Sequence, residues 1–269
     1  MPVDVDARVL YNTRLSADYH VLALDAPQIA ADCRPGQFVM IKMARGNDPL
    51  LRRPFSVFQI LRDDGGAPAG LTLLSKRVGS STRLMFDAAP DDRFLCLGPL
   101  GRPFVPIDPP VAAWLVAGGV GLAPFVMLAE VLRTRGTETT LFYGARTADE
   151  LFCLDVFERL NVRLVLATED GRRGDRGRVT VPLERELRNR SADAPVTVYA
   201  CGPEGMLAAC ARLAMTYGRP SQVSVERVMG CGLGGCYSCV VPVRDERASP
   251  HYLRSCLAGP VFRGEDVVW

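Results

Sequence analysis

The sequence predicts an all-β domain, then an α/β domain, then a small C-terminal unit: an antiparallel β-barrel, a doubly wound parallel sheet and a cysteine-rich tail. Three observations carry this. The first hundred residues hold short apolar, β-branched runs separated by turn formers. After Pro109-Pro110, continuous apolar runs alternate with segments of helical period. Four of the nine cysteines crowd into residues 222–269.

Strand-like runs in the first part are Ala7–Tyr11, His20–Leu24, Gln37–Lys42, Pro54–Leu61, Leu71–Leu74 and Arg93–Leu97. Turn formers lie between them at Arg34-Pro35-Gly36, Gly46-Asn47-Asp48-Pro49, Asp63-Asp64-Gly65-Gly66 and Gly98-Pro99. Short strands with this punctuation predict an antiparallel barrel or sandwich. Arg83-Leu84-Met85 are good helix formers, so one short helix is expected after Ser80-Ser81-Thr82.

In the second part, Val111–Ala117 reads as a strand buried on both faces. Phe125, Leu128, Ala129 and Leu132 then repeat at helical spacing within Pro124–Arg135, and Gly136 is placed to end that helix. Thr139–Tyr143, Val162–Ala167 and Val196–Ala200 read as further strands. Leu151–Arg159, Val179–Arg188 and Glu204–Tyr217 read as helices. Alternation of this kind predicts a parallel sheet covered on both faces. The expected domains are residues 1–106, 107–221 and 222–269.

Composition narrows the function classes. The chain has 269 residues, 48% hydrophobic and 23% charged, which excludes a disordered chain. A net charge of +2 gives no strong field for nucleic acid or acidic membranes. The start, MPVDVDARVL, lacks the basic and apolar regions of a signal peptide. Gly118, Gly119, Gly121 and Pro124 interrupt the longest apolar stretch, so no membrane-spanning helix is expected. The expected location is a reducing cytoplasm, where nine cysteines call for a metal reading or a core reading.

Cys231, Cys236, Cys239 and Cys256 have the spacing C-x4-C-x2-C-x16-C. This is the plant-type 2Fe–2S pattern, with three thiolates on one glycine-rich loop and a fourth arriving from a remote segment. A four-cysteine zinc site is the rival, although zinc ribbons favour paired C-x2-C units and only one is present. Four core thiols are the plainest alternative.

Gly118-Gly119-Val120-Gly121-Leu122-Ala123-Pro124 joins a buried strand to a helix, where backbone N–H groups favour a pyrophosphate. It is not a full dinucleotide fingerprint, because Pro124 stands where the third Gly or Ala belongs. Cys201-Gly202-Pro203, with Met206 behind it, forms a second strand–helix loop that can close over the same ligand. Thr168, Glu169 and Asp170 follow a third strand and suit ribose hydroxyls, with a surface turn as the equal alternative. In the first domain Arg53-Pro54-Phe55-Ser56 opens a strand. An Arg there suits a phosphate, Ser56 a flavin ring edge and Phe55 an apolar wall. Gly79-Ser80-Ser81-Thr82 offers N–H groups to a second phosphate and Lys76 adds charge. Taken singly, each is unspecific and a solvated basic turn is the safer reading of either; their order along the chain is what counts.

With these motifs in place, the chain resembles the ferredoxin–NADP+ reductase superfamily with a fused 2Fe–2S domain. More narrowly, it resembles the electron-transfer subunits of NAD-dependent dihydroorotate dehydrogenases. The resemblance covers essentially the whole length. It rests on Arg52–Ser56, Gly98–Gly101, Gly118–Phe125, Cys201–Pro203, Ser224–Met229, the four cysteines and Cys256–Phe262. It implies FAD contacts at Arg53, Pro54, Phe55, Ser56, Leu74, Ser75, Lys76, Ser81 and Thr82. It implies an NAD site at Gly118, Gly119, Gly121, Ala123, Pro124, Thr168, Glu169, Asp170, Cys201, Gly202, Pro203 and Met206. Ser75-Lys76 stand where the family usually has Tyr-Arg, Ser81 where it has Gly, and Ala258 where Asp is common.

The resemblance also implies a reaction. Dihydroorotate is oxidised at an FMN, electrons pass singly through this chain's cluster to FAD, and NAD+ takes up a hydride, in pyrimidine biosynthesis. The dihydroorotate site needs a (β/α)8 barrel of ~250 residues, which this chain has no room for. The implied partner is an FMN-bearing catalytic subunit, two of each chain forming the complex. Other FAD and 2Fe–2S oxidoreductase subunits, of the ferredoxin–NADP+ oxidoreductase or sulfide dehydrogenase type, and a redox-sensing module are the alternatives. No His/Cys/Asp constellation for acid–base catalysis is visible, and His20 and His251 read as structural or surface residues. Cys201 borders the expected nicotinamide site, and Cys33, Cys96, Cys153 and Cys210 are expected as core thiols.

Overall fold

The computed structural model describes residues 1–43, 49–244 and 250–269, so the turn expected at Gly46-Asn47-Asp48 lies outside the described residues. The chain runs β1 (Val3–Arg14), β2 (Tyr19–Asp25), α1 (Pro27–Ala30), β3 (Phe38–Met43), β4 (Arg53–Ser56), β5 (Gln59–Arg62), β6 (Pro68–Lys76), α2 (Ser80–Asp87) and β7 (Arg93–Leu100). These seven strands form one antiparallel sheet in the order β4-β3-β7-β1-β2-β6-β5. Inward and outward residues alternate as the pleat demands; in β7, Phe94, Cys96, Gly98 and Leu100 are the buried set.

The sheet curls into a half-barrel, and the curl brings β4 against β6. The single strand expected over Pro54–Leu61 is broken at Val57-Phe58. Both residues bury their side chains, while the Val57 N–H donates to Gln37 O (3.1 Å) and the Phe58 N–H to Thr72 O (2.9 Å). The chain thus crosses from one edge of the sheet to the other without an unpaired buried amide.

Helix α2 is gripped at its C-terminal end. Asn12 Nδ2 lies 2.9–3.0 Å from the carbonyls of Met85, Phe86 and Ala88 at the helix end, where Met85 O also accepts from the Ala88 N–H at 3.4 Å. Asn12 Oδ1 therefore faces His20 Nδ1, at 2.7 Å, which fixes the imidazole proton on Nδ1. His20 is fully buried, its edge against the Phe86 ring.

The next elements are β8 (Ala112–Gly118), a 3-10 turn (Gly119–Leu122), α3 (Phe125–Thr134), β9 (Thr139–Ala145), a second 3-10 turn (Ala148–Glu150), α4 (Leu154–Arg159), β10 (Arg163–Thr168), β11 (Asp175–Arg176), α5 (Thr180–Asn189), β12 (Val196–Cys201) and α6 (Glu204–Thr216). Then come β13 (Ser221–Ser224), β14 (Val240–Arg244), β15 (Pro250–Arg254), α7 (Ser255–Ala258) and β16 (Val261–Arg263). The second sheet has the order β11-β10-β9-β8-β12-β13-β16, parallel except for β16. Phe125, Leu128 and Leu132 of α3 and Phe157 of α4 cover one face. Leu183 and Leu187 of α5 and Leu207 and Cys210 of α6 cover the other, around Trp114. The helix expected from Leu151 starts at Leu154, because Leu151 and Phe152 pack in extended form, Phe152 against Tyr19 of the barrel.

The tail is tied to this second sheet. β13 spans the position at which a third domain was expected to begin, and β16 returns to pair with it antiparallel. β14 and β15 form a separate hairpin. Cys96 and Cys210 are buried as expected of core thiols, whereas Cys33 and Cys153 are only partly buried, Cys153 heading α4 with φ +56°.

Burial lowers the His20 pKa from 6.5 to about 4, with the Arg14 charge adding to the effect. The unfolded state therefore takes up this proton first as pH falls. The cost is about 1.4 kcal/mol of stability per pH unit between ~6.5 and ~4, absent above ~6.5. Denaturant unfolding of wild type and His20→Gln across this range measures it. The difference between the two curves is expected to narrow towards pH 4.

Candidate functional site

The four tail cysteines converge although Cys256 is remote in sequence. The three-cysteine loop runs from Met229 to Cys239, and the Ser255 N–H donates to Cys239 O at 2.9 Å, docking the α7 segment on it. The sulfurs approach in two pairs: Cys231 lies within hydrogen-bond reach of Cys236, and Cys239 within reach of Cys256. Among the described residues no three His, Cys, Asp or Glu side chains close on a single ion position. Cys231 with Cys236, and Cys239 with Cys256, would each hold one iron of a 2Fe–2S group. One zinc would draw all four sulfurs to ~2.3 Å from a single point.

The pairs differ in surroundings. Cys239 and Cys256 are buried against Phe38 and Met40 of β3 and Leu100 of β7. Cys236 is exposed and Cys231 partly so. The Ser238 hydroxyl accepts from the Gly230 N–H (3.0 Å) and lies 3.1 Å from Cys236 Sγ, so its own proton is free for that sulfur. Together with the Ser238 N–H and Cys231, it lowers the Cys236 thiol to about 6, which favours the thiolate that binds metal. Burial, and then the neighbouring Cys239, push Cys256 up to about 12. The Leu233 N–H points at Cys231 Sγ, at 3.4 Å.

In the second sheet the chain turns one way from β8 and the other way from β12, so a crevice opens between their C-terminal ends. Crevices at such switch points bind ligands in open α/β sheets. The loops after both strands meet there. Gly121 packs so close to the Cys201 carbonyl that no side chain fits, and Gly118 abuts Pro203 and Met206. Ala123 is buried and Pro124 caps α3. Thr168 ends β10 and Glu169 and Asp170 form the turn after it, two strands away from the crevice on the β9 side. The Thr168 hydroxyl is engaged within its own loop, accepting from the Arg173 N–H (3.2 Å) and donating to Arg173 O (3.1 Å). Asp170 accepts from the Arg172 N–H, which lowers its pKa.

In the barrel, Arg53, Pro54, Phe55 and Ser56 form β4, which the curl sets against β6 with Leu74, Ser75 and Lys76. Ser81 and Thr82 lie in the first turn of α2. The Ser75 and Ser81 hydroxyls are buried without a hydrogen-bond partner, donors still available to a ligand. The Thr82 hydroxyl is engaged, accepting from the N–H groups of Val78 and Gly79. Lys76 lies 4.7 Å from the Tyr19 ring and 3.4 Å from the Glu150 carboxylate of the second domain. Nothing in the sequence ties Glu150 to Lys76. Ser238, between two cysteines of the loop, was also not singled out, although a hydroxyl in that position is a visible signal.

The half-barrel touches both of the other groups. Its β3, which pairs Met40 with Pro54 and Phe38 with Ser56, carries residues that bury Cys239 and Cys256. Its Leu74 shares one apolar cluster with Leu122, Ala123 and Phe125 of the glycine-loop segment.

Known proteins place this arrangement. Residues 226–268 match the iron–sulfur cluster binding domain of dihydroorotate dehydrogenase B, and residues 115–212 match the oxidoreductase NAD-binding domain. The electron transfer subunit of dihydroorotate dehydrogenase B (NAD(+)) from Desulforamulus reducens is 37% identical, over 98% of each chain. This chain belongs to that family. Its counterpart from Geobacillus thermodenitrificans is 38% identical over 92% of this chain and 91% of that one. Among solved structures, a chain of the NADH-dependent reduced ferredoxin–NADP oxidoreductase superimposes with a TM-score of 0.83 at 30% identity, over 98% of this chain and 90% of that one. A ferredoxin NADP+ reductase from Neisseria gonorrhoeae shares the fold, with a TM-score of 0.65 at 18% identity, over 80% of this chain and 92% of that one. An electron-transfer subunit of this family is thus built from a half-barrel, a parallel-sheet domain and an iron–sulfur segment that packs on both.

Gly121→Ala places a methyl group on the Cys201 carbonyl and forces the two loops apart. The expected result is a Kd for NADH raised by about tenfold or more, with flavin content and the visible iron–sulfur absorbance unchanged. Equilibrium titration of the purified variant measures it.

Proposed function

We propose that this chain carries electrons from a dihydroorotate-oxidising partner to NAD+ in pyrimidine biosynthesis, using a 2Fe–2S cluster and FAD. One observation carries the reading: the half-barrel that holds the flavin candidates packs against the paired cysteines through β3 and β7 and against the glycine-loop segment through Leu74. A bound flavin exchanges a hydride with nicotinamide and single electrons with an iron–sulfur centre, so it belongs between them.

The chain's own residues supply binding and insulation. Cys231 and Cys236 form the outer ligand pair and Cys239 and Cys256 the inner pair, which Phe38, Met40 and Leu100 shield from water. Arg53, with its guanidinium, and the first turn of α2, with Ser81 and Thr82, hold the FAD phosphates. Ser56 and Ser75 present hydroxyls to the flavin, and Pro54, Phe55 and Leu74 supply apolar contact. Lys76 orders the neighbouring backbone through Tyr19 and Glu150. Gly118, Gly119, Gly121, Ala123 and Pro124 on one loop and Cys201, Gly202, Pro203 and Met206 on the other hold the nicotinamide half of NAD. Glu169 and Asp170 face its adenosine ribose, where their charge disfavours a 2′-phosphate; Thr168 shapes that turn through Arg173.

The partner is an FMN-bearing barrel subunit that docks over the outer cysteines, with two of each chain in the complex. Leu233, Tyr237 and Leu257 expose apolar surface on and beside the cluster loop, which suits burial against that subunit. The complex works in the cytoplasm; no helix among the described residues is long and apolar enough to cross a membrane. The likeness to the NADH-dependent ferredoxin–NADP oxidoreductase chain favours a second reading, in which the same cofactors serve a different partner.

Purification of the tagged chain from its own host distinguishes the two. Under the first reading it brings down a subunit containing FMN, and the complex, with FAD and two irons per copy of this chain, reduces NAD+ with dihydroorotate. A complex that lacks FMN and is inert to dihydroorotate contradicts it, as does dihydroorotate turnover by the isolated chain.

A further inference from the structure

Arg254 ends β15 and directly precedes α7, the short helix that carries Cys256. Its Nη1 reaches across to donate to the Gly234 carbonyl, at 2.8 Å, in the loop that carries the other three cysteines. Its guanidinium carbon also lies 4.6 Å from the centre of the Tyr237 ring, inside cation–π range. One side chain from the fourth-cysteine segment therefore touches the loop two residues before Cys236 and one residue after it.

Both contacted residues have backbones that need holding. Tyr237 has φ +59°, a conformation uncommon for a bulky side chain, and Gly234 has φ +83°. Gly234 is also closely covered by Leu257 and by Arg254 itself. No carboxylate pairs with Arg254 among the described residues, whereas Arg227, the cation preceding the loop, is paired with Glu204 at 3.0 Å. An arginine stays protonated at any working pH. A cluster held by four thiolates is anionic and gains negative charge on reduction, so a fixed cation beside it favours the reduced state.

We propose that Arg254 is a positioning residue that locks the three-cysteine loop to the fourth-cysteine segment, and that its charge raises the reduction potential of the cluster they hold. The proposal rests on the reading that the four cysteines bind a 2Fe–2S cluster.

The test uses the full chain as wild type, Arg254→Met and Arg254→Lys. Iron per chain, the midpoint potential from an anaerobic titration followed by absorbance and EPR, and the rate of bleaching by a chelator are measured for each. Arg254→Met is expected to shift the midpoint lower and to bleach up to about tenfold faster, the effect of one lost hydrogen bond and its packing. Arg254→Lys is expected to keep a midpoint close to wild type while bleaching faster, because an ammonium keeps the charge but not the planar fork. A loaded Arg254→Met chain with wild-type midpoint and bleaching overturns the proposal. So does Arg254→Lys with a midpoint as low as that of Arg254→Met. If Arg254→Met assembles no cluster, Arg254→Lys decides: a wild-type midpoint with faster bleaching supports the proposal, and a lowered midpoint or unchanged bleaching overturns it. A wild-type chain without iron defeats the cluster reading itself, a result distinct from either failure of Arg254.

Discussion

The site depends on where the tail is anchored. β16 pairs with β13 at the edge of the parallel sheet, matching Val223 with Phe262. The Val225 N–H donates to Pro260 O at 2.9 Å, and the Arg102 N–H to Gly259 O at 2.6 Å. These bonds fix the segment just after Cys256 against both larger domains. The fourth cysteine is thereby held close to a loop that begins more than a dozen residues earlier, and the inner sulfurs are pressed onto β3 and β7. Loss of this anchorage would separate the cysteines from the barrel while leaving each sheet able to form.

The barrel's curl is the second requirement. β4 and β6 lie far apart in strand order, yet curvature brings their candidate flavin residues together. β3 then serves two neighbours at once, pairing with β4 on its edge and packing Phe38 and Met40 under the cysteines. Short apolar contact between redox groups, with water kept out of the inner ligand pair, is what an electron-transfer protein has to supply. Of the two histidines, His20 is buried and His251 is exposed.

Much of this was legible in the sequence because its signals are local. The C-x4-C-x2-C loop, the glycines before Pro124 and the apolar run of β8 each declare a conformation within a few residues. The antiparallel and parallel parts were separable because the hydrophobic period changes after Pro109-Pro110. Long-range commitments were not legible. Pro54–Leu61 reads as one strand, since nothing local says that Val57 and Phe58 must span two sheet edges. Thr168 and Thr82 read as ligand contacts, and nothing local says that their hydroxyls also close turns of the folded chain. That Glu150 of another domain pairs with Lys76 is likewise invisible locally. Arg254 carries no motif; only the fold sets it across the cysteine loop.

If a flavin held by the barrel links the nucleotide crevice to the cysteine pairs, electrons from NADH reach the iron–sulfur centre only through it. Rapid mixing of the purified chain with NADH under anaerobic conditions, followed by absorbance and EPR, tests this most directly. The flavin band is expected to bleach first and the iron–sulfur signal to follow, and a chain stripped of FAD is expected to show no rapid iron–sulfur reduction. Equal rates of iron–sulfur reduction with and without FAD would contradict it.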